Sequence, residues 1–355
     1  MQLNIDKTLT FTILALLILG MVFVYSSSYY KAMRQGEATT YYLLGHIKRI
    51  IIGIGFFFLG FFLPYEKTRK ILLPTYFILF ILLVLTILFG KFVYGAKRTI
   101  PFGSFGNYGV QVSEFVRVWI VLFMANFFAS HPQVAYSSKR ILIAIFFPLS
   151  LIILVALQPS ISLAIISFFS LFVMLIYGNI KFKFLAPVIL CGMVIFLLAF
   201  LVLPHVRERM VSFFTQPGYQ VQQSLIAIGS GGLFGRGPGA GLQKFLFLPK
   251  IYNDFIFAHI AEEIGFIGSA LLFIFYWELF FRGITIANLI EDEYPKLIVQ
   301  GFNATIFIIF LIHVGVSLGL LPATGIPLPF ISYGGWSLSA NLFSAGMILQ
   351  ISKLR

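Results

Sequence analysis

The sequence predicts an all-α integral membrane protein of ten transmembrane helices. Three observations predict it. Of 355 residues, 59% are hydrophobic and only 10% charged, against roughly 25% charged in soluble domains. Apolar runs of spanning length, roughly 17–25 residues, recur along the whole chain. They are separated by short polar connections, with a single long one at 204–254.

The runs fall at about 9–26, 47–63, 71–90, 114–130, 141–157, 160–178, 184–203, 255–280, 297–319 and 331–351. The first follows Asp6 and Lys7 and is longer than a signal-peptide core, so it reads as a retained helix. The fifth and sixth are parted only by LQPSIS, with Pro159 as the breaker. No repeat and no low-complexity stretch divides the chain, so 1–355 is one polytopic domain with 204–254 as a large loop inside it.

An even number of spans puts both termini on one side. That side carries Lys7, Lys67, Arg69, Lys70, Lys139, Arg140, Lys181, Lys183, Arg282, Lys296, Lys353 and Arg355 in short loops. Short basic loops stay cytoplasmic, whereas long ones translocate largely regardless of charge. Both termini are therefore expected in the cytoplasm, and the loop between helices 7 and 8 outside it.

The formal charge is +13. The basic residues are scattered through many loops, a pattern suited to anionic lipid headgroups rather than nucleic acid. The single cysteine, Cys191, excludes an intramolecular disulfide. Residues 227–241, AIGSGGLFGRGPGAG, mimic part of a dinucleotide fingerprint. No strand precedes them and no G-K-[ST] follows, so no nucleotide site is expected. They read as a turn-rich segment or as a path where backbone approaches a ligand.

Acids near the start of the eighth span are costly in a membrane unless used or partnered. Asp254 reads either as a helix N-cap or as a general base at the mouth of a cavity. On a helix regular from 254, Asp254, Ala258 and Glu262 share one face, and His259 and Glu263 pair at i,i+4. Glu114 and Arg117, three apart, neutralise each other at a membrane boundary or contact substrate. Residues 320–337, LLPATGIPLPFISYGGWS, hold three prolines and three glycines, forming irregular backbone that survives at membrane depth only in protein or beside a cavity. Ser332 in that segment is a further candidate substrate contact.

QSLIAIGSGGLFG (223–235), QKFLFLP (243–249), DFIFAHIAEEIGFIG (254–268) and HVGVSLGLLPATGIPLPFISYGG (313–335) resemble the SEDS family (shape, elongation, division, sporulation) of FtsW and RodA. GAKR (95–98), SEF (113–115) and QP (158–159) add to the resemblance, whose wording is nearer FtsW. It implies a bacterial cytoplasmic-membrane glycosyltransferase that polymerises the peptidoglycan precursor lipid II on the outer face, in cell division or cell shape. It implies Asp254 as the catalytic residue and a class B penicillin-binding protein, a transpeptidase, as partner. The chain departs from the family's wording at Lys250 and Tyr252 before the aspartate. It departs also at Ser160, Val112, Arg117, Thr99 and Trp336.

The implied reaction joins a 4-hydroxyl to an anomeric carbon, with undecaprenyl pyrophosphate leaving unprotonated. One general base then suffices, unlike the carboxylate pair of a glycosidase. Arg98, Arg117, Arg209 and Lys244 are the cations expected to meet the diphosphate, together with Glu114 and Ser332 as substrate contacts. His259, Glu262 and Glu263 are expected behind Asp254. A divalent cation such as Mg²⁺ or Mn²⁺ would share the diphosphate's charge. No metal ligand set is assigned, because the five histidines are dispersed. The rival readings are a flippase for the lipid-linked precursor and a non-catalytic scaffold of a cell-wall complex.

Overall fold

The computed structural model describes residues 5–93, 96–99, 109–131, 138–158, 160–215, 217–245 and 247–354. Among these, eight helices are long and apolar enough to cross a membrane. They are α1 (Lys7–Arg34), α2 (Tyr41–Phe62), α3 (Tyr65–Phe89), α4 (Ser113–Ser130), α5 (Ser138–Leu157), α7 (Phe182–Val202), α10 (Ile256–Asn288) and α11 (Glu293–Ser317). A shorter apolar helix, α6 (Ile161–Tyr177), and the largely buried α12 (Gly335–Ile351) have 17 residues each.

The structure differs from the sequence expectation in three places. The connection 204–254 contains α8 (Pro204–Phe214) and α9 (Tyr219–Gly231). A short antiparallel pair, β1 (Lys91–Val93) and β2 (Ala96–Thr99), interrupts the otherwise helical fold after α3. And α2 begins at Tyr41, six residues before the apolar run at 47, because Tyr42 and His46 pack against the bundle and extend the helix ahead of the run that hydropathy marks. Pro159 lies outside the described residues.

The ends of the chain meet. Asp6 caps α1 by accepting from Leu9 N–H at 2.8 Å, and it pairs with Arg282 of α10 at 2.7 Å. Its own N–H donates to Ser352 Oγ beyond α12 at 3.4 Å. Both termini therefore occupy one end of the bundle.

The buried core runs through α4, α11 and α12, which other helices surround. Helices α2 and α12 approach most closely at Gly60 and Gly346. A Cβ at Gly60 would strike the backbone of Phe343, and one at Gly346 the backbone of Phe57. Small residues at such crossings let dispersion contacts form where lipid removes the hydrophobic drive for association. The outward faces of α1, α2, α3, α5 and α7 expose large apolar side chains such as Phe11, Phe58, Phe77, Phe146 and Leu197, as a lipid-facing surface must.

Candidate active site

The segment 318–334 follows α11 and cannot continue as helix, since Pro322, Pro327 and Pro329 remove donors from it. Its turns are pinned instead by buried side chains. His313 Nδ1 lies 2.7 Å from the Ile326 carbonyl. Tyr276 O–H donates to the Pro329 carbonyl. Ser332 accepts from Leu328 N–H at 2.8 Å and donates to the Asn253 carbonyl at 2.7 Å. Tyr333 N–H adds a bond to the Tyr252 carbonyl at 3.1 Å. This irregular segment thus grips the chain immediately before Asp254.

Together with α2, α4, α6 and α8 it encloses a cavity of about 400 Å³. Asp254 is half-buried on the cavity wall, opposite Gly325, where a Cβ would come within 3.5 Å of its carboxylate. Arg49, Arg209 and Lys250 supply positive charge to the same wall, and Glu114 a second carboxylate. Ser160, Ser162, Thr324 and Tyr333 add polar surface. Trp336 closes one side, its indole N–H donating to the Gly109 carbonyl at 2.8 Å.

The helix begins at Ile256 with Phe255 in the cap position, so Asp254 is not its N-cap. Asp254 instead stands at the end of a tight turn, its backbone N–H donating to the Lys250 carbonyl at 3.0 Å. Since the helix is not regular from 254, Asp254 and Glu262 do not form one continuous face. Glu262 turns to the glycine-rich loop, accepting from the N–H groups of Leu242 (2.7 Å) and Gln243 (3.3 Å).

That loop is held firmly against α10. Helix α10 breaks at Gly265, whose φ is +67°. The break strips partners from the carbonyls of Glu262 and Glu263 and from the N–H groups of Phe266 and Ile267. The loop replaces all four. Arg236 and Gly237 donate to the two carbonyls at 3.0 Å each, and the carbonyls of Gly232 and Leu233 accept from Phe266 (2.9 Å) and Ile267 (3.1 Å). Buried backbone polar groups demand such partners. Side chains lock the same joint: Lys244 pairs with Glu263 at 3.0 Å, Ser26 Oγ donates to Glu263 at 2.6 Å, and His259 Nε2 lies 3.4 Å from it.

The site residues expected from sequence therefore separate into groups. Asp254, Glu114 and Arg209 share the cavity wall. Arg117 is buried beneath it, 3.4 Å from Glu114 and within 3.4 Å of the Ser337 carbonyl. Lys244 is enclosed at 2% exposure in its pair with Glu263, away from the cavity lining. Its ammonium also donates to the Gly239 carbonyl, so the structure places this expected substrate cation outside the cavity lining. His259, Glu262, Glu263 and Ser332 are buried behind the wall. Arg98 lies on β2, its side chain outside the described residues.

Arg49 and Lys250 join the wall without having been singled out as ligands. The signal for Arg49 was a lone guanidinium in an apolar stretch. It was hidden because 49 fell at the margin of the expected span rather than two turns inside a helix.

Apolar space adjoins the cavity. Ser162, Arg209 and Thr324 also line a small pocket against Phe196 of α7. Ile161, Ile165 and Phe196 in turn border a groove of about 640 Å³ between α5, α6 and α7, lined almost wholly by apolar side chains.

Such a bundle, with a polar, cation-bearing cavity at one end and an apolar groove leading to it, defines a multi-pass α-helical membrane protein. More particularly, the chain belongs to the FtsW/RodA/SpoVE family, described as cell cycle proteins, whose model matches residues 7–355. It is 32% identical to the stage V sporulation protein E of Bacillus subtilis, over 98% of this chain and 97% of that one. It is 32% identical to a probable peptidoglycan glycosyltransferase FtsW of Coxiella burnetii, over 98% and 96% respectively. Its fold matches a chain of a peptidoglycan synthase complex that coordinates polymerization and crosslinking. That match has a TM-score of 0.79 at 24% identity and covers 98% of both chains.

Proposed function

We propose that this protein is a peptidoglycan glycosyltransferase that polymerises lipid II on the outer face of the bacterial cytoplasmic membrane. Ten helices, α1–α7 and α10–α12, cross the bilayer. Both termini are cytoplasmic, and residues 204–254 lie outside.

The observation that carries this reading is the placement of Asp254 on the wall of a cation-lined cavity. Its carboxylate takes the proton from the 4-hydroxyl of one disaccharide as that oxygen forms a bond to the anomeric carbon of another. The bond from that carbon to the diphosphate oxygen breaks, and its electron pair leaves with undecaprenyl diphosphate. Arg209 and Lys250 stabilise that charge where it develops. The apolar groove along α7 gives the polyprenyl tail a route from the bilayer.

Among the described residues no group of three His, Cys, Asp or Glu side chains is placed to hold a metal. Mg²⁺, however, is commonly held by one or two carboxylates plus substrate phosphates. Asp254 and Glu114 fit that limited role. The cation would neutralise diphosphate oxygens.

Asp254→Asn tests the reading. Purified protein given lipid II, with and without a class B penicillin-binding protein, should form glycan polymer. The variant should lose about 10²–10⁴-fold of the rate, the usual contribution of a general base. A flippase needs a polar path continuing to the other face. Here Val116 and Ile120, which follow Glu114 along α4, and Leu338 and Leu342, which follow Ser337 along α12, belong to the buried apolar core, which favours chemistry over transport. Polymer formed equally by Asp254→Asn would sink the proposal. A silent scaffold would make no polymer at all.

A further inference from the structure

We propose that Trp336 is a platform for a pyranose ring in the cavity of Asp254, a saccharide subsite that rests on the polymerase reading above. The protein has three tryptophans, and the other two show what packing alone does with an indole. Trp119 is buried, stacked on Phe123 at 4.7 Å, with its N–H on the Leu72 carbonyl. Trp277 is exposed on the surface of α10 beside Phe281. Trp336 does neither. It is half-buried on the wall of a cavity that it shares with carboxylates, cations and hydroxyls.

The indole is held in a fixed frame. Its N–H donates to the Gly109 carbonyl at 2.8 Å. Phe56 of α2 and Phe115 of α4 meet it at 6.2 Å each, with interplanar angles of 85° and 65°. Among the described residues no ring lies parallel on the indole and no cation sits over it. The other aromatic rings of the wall are engaged. Arg49 Cζ stands 3.8 Å from the centre of the Tyr333 ring, and Lys31 Nζ 4.9 Å from that of Tyr252. Apolar surface left beside water forgoes roughly 25 cal/mol per Å², so a ligand that covers the indole gains affinity.

A pyranose suits this wall in two respects. Its C–H face carries slight positive charge and matches the negative face of an aromatic ring. Its hydroxyl and acetamido groups need donors and acceptors. On the same wall, Asn253 Oδ1 and Thr324 Oγ1 have no partner among the described residues, and buried polar atoms demand one. The cavity, about 400 Å³, falls within the roughly 300–1,000 Å³ of small-molecule sites. A diphosphate needs no aromatic wall, and a polyprenyl tail needs no hydroxyls. The combination selects a sugar. Trp336 and Thr99, two positions where the chain departs from its family's wording, both line the cavity, so the platform is this chain's own means of selecting substrate.

The test is ligand binding by full-length protein in detergent. Farnesyl diphosphate and farnesyl-diphosphoryl N-acetylglucosamine serve as probes, read by calorimetry. Wild type should prefer the sugar-bearing probe. Trp336→Leu should lower that preference about tenfold, the scale of one aromatic contact, and leave farnesyl diphosphate affinity unchanged. Trp336→Phe should retain most of the preference, because a ring remains. The sugar probe should also quench tryptophan emission in wild type but not in Trp336→Phe, which keeps Trp119 and Trp277. That arm decides the matter if Trp336→Leu fails to fold. Equal losses for both probes in Trp336→Leu, an unchanged preference there, no sugar preference in wild type, or a quench that persists in Trp336→Phe overturns the platform. A parallel lipid II assay separates the two claims. Polymer from wild type with a sugar preference independent of Trp336 sinks only the platform. A Trp336-dependent preference without any polymer, with or without the partner, sinks only the polymerase.

Discussion

Ser332 Oγ donates to the carbonyl of Asn253 at 2.7 Å, joining two segments 79 residues apart at the residue just before Asp254. The same oxygen accepts from Leu328 N–H, so one buried hydroxyl ties the turn before α12 to the turn before α10.

Ser332→Ala removes both bonds and leaves buried backbone groups short of a partner, at a cost of about 1–3 kcal/mol. Because Asp254 follows directly, the displacement should cost polymerisation about tenfold or more, given the steep dependence of rate on sub-ångström placement. The loss should fall on kcat rather than KM. Wild-type kinetics in a protein of lowered melting temperature would reduce Ser332 to a structural tie.

Lys244 and Glu263 form a buried pair at 3.0 Å, with side-chain exposures of 0% and 1%. Lys244→Met alone should destabilise by about 3–5 kcal/mol, since it strands a carboxylate in the interior. The double change Lys244→Met with Glu263→Gln should recover much of that loss. Thermal unfolding in detergent across the four proteins of the cycle measures the coupling, and purely additive losses would contradict the pairing.

Gly265 occupies the left-handed region at φ +67°, and a Cβ there would run into the backbone of Gly235 and Leu233. Gly265→Ala should therefore destabilise by at least about 1–3 kcal/mol and release the loop at 232–244. Amide exchange at Phe266 and Ile267 should accelerate by more than at the Asn288 end of α10. Uniform exchange along the helix would argue that the loop does not brace the break.

A divalent cation shared between the substrate diphosphate and the carboxylates of Asp254 and Glu114 predicts that chelation slows polymerisation and that Mg²⁺ restores it. With no three-ligand protein cage among the described residues, the metal requirement should weaken at saturating lipid II, which brings its own phosphate ligands. A rate insensitive to chelator would remove the metal from the mechanism.

Much of this protein was legible as sequence. Spanning helices follow from apolar runs, because a bilayer requires internally satisfied backbone over a fixed thickness. The proline-rich segment after α11 announced irregular backbone, and the acid at 254 announced a costly charge. Hydropathy could not place the start of α2, since Gly45, His46, Lys48 and Arg49 interrupt the apolar pattern after its first turn. It therefore left Arg49 at a span's edge and out of the candidate set.

Charge type and position along the chain made Arg117 and Lys244 look equivalent to Arg209. Only the packing separates them, because a cation is free to meet substrate or committed to a buried carboxylate according to what folds against it. Helical periodicity put Glu262 on the face of Asp254, but the helix starts two residues late and breaks at Gly265. The sequence by itself thus determined the membrane class, the run of helices and the residues capable of chemistry. The tertiary structure decided which of them face one cavity, because that depends on contacts such as Ser332 with Asn253 and Tyr333 with Arg49, which no local pattern encodes.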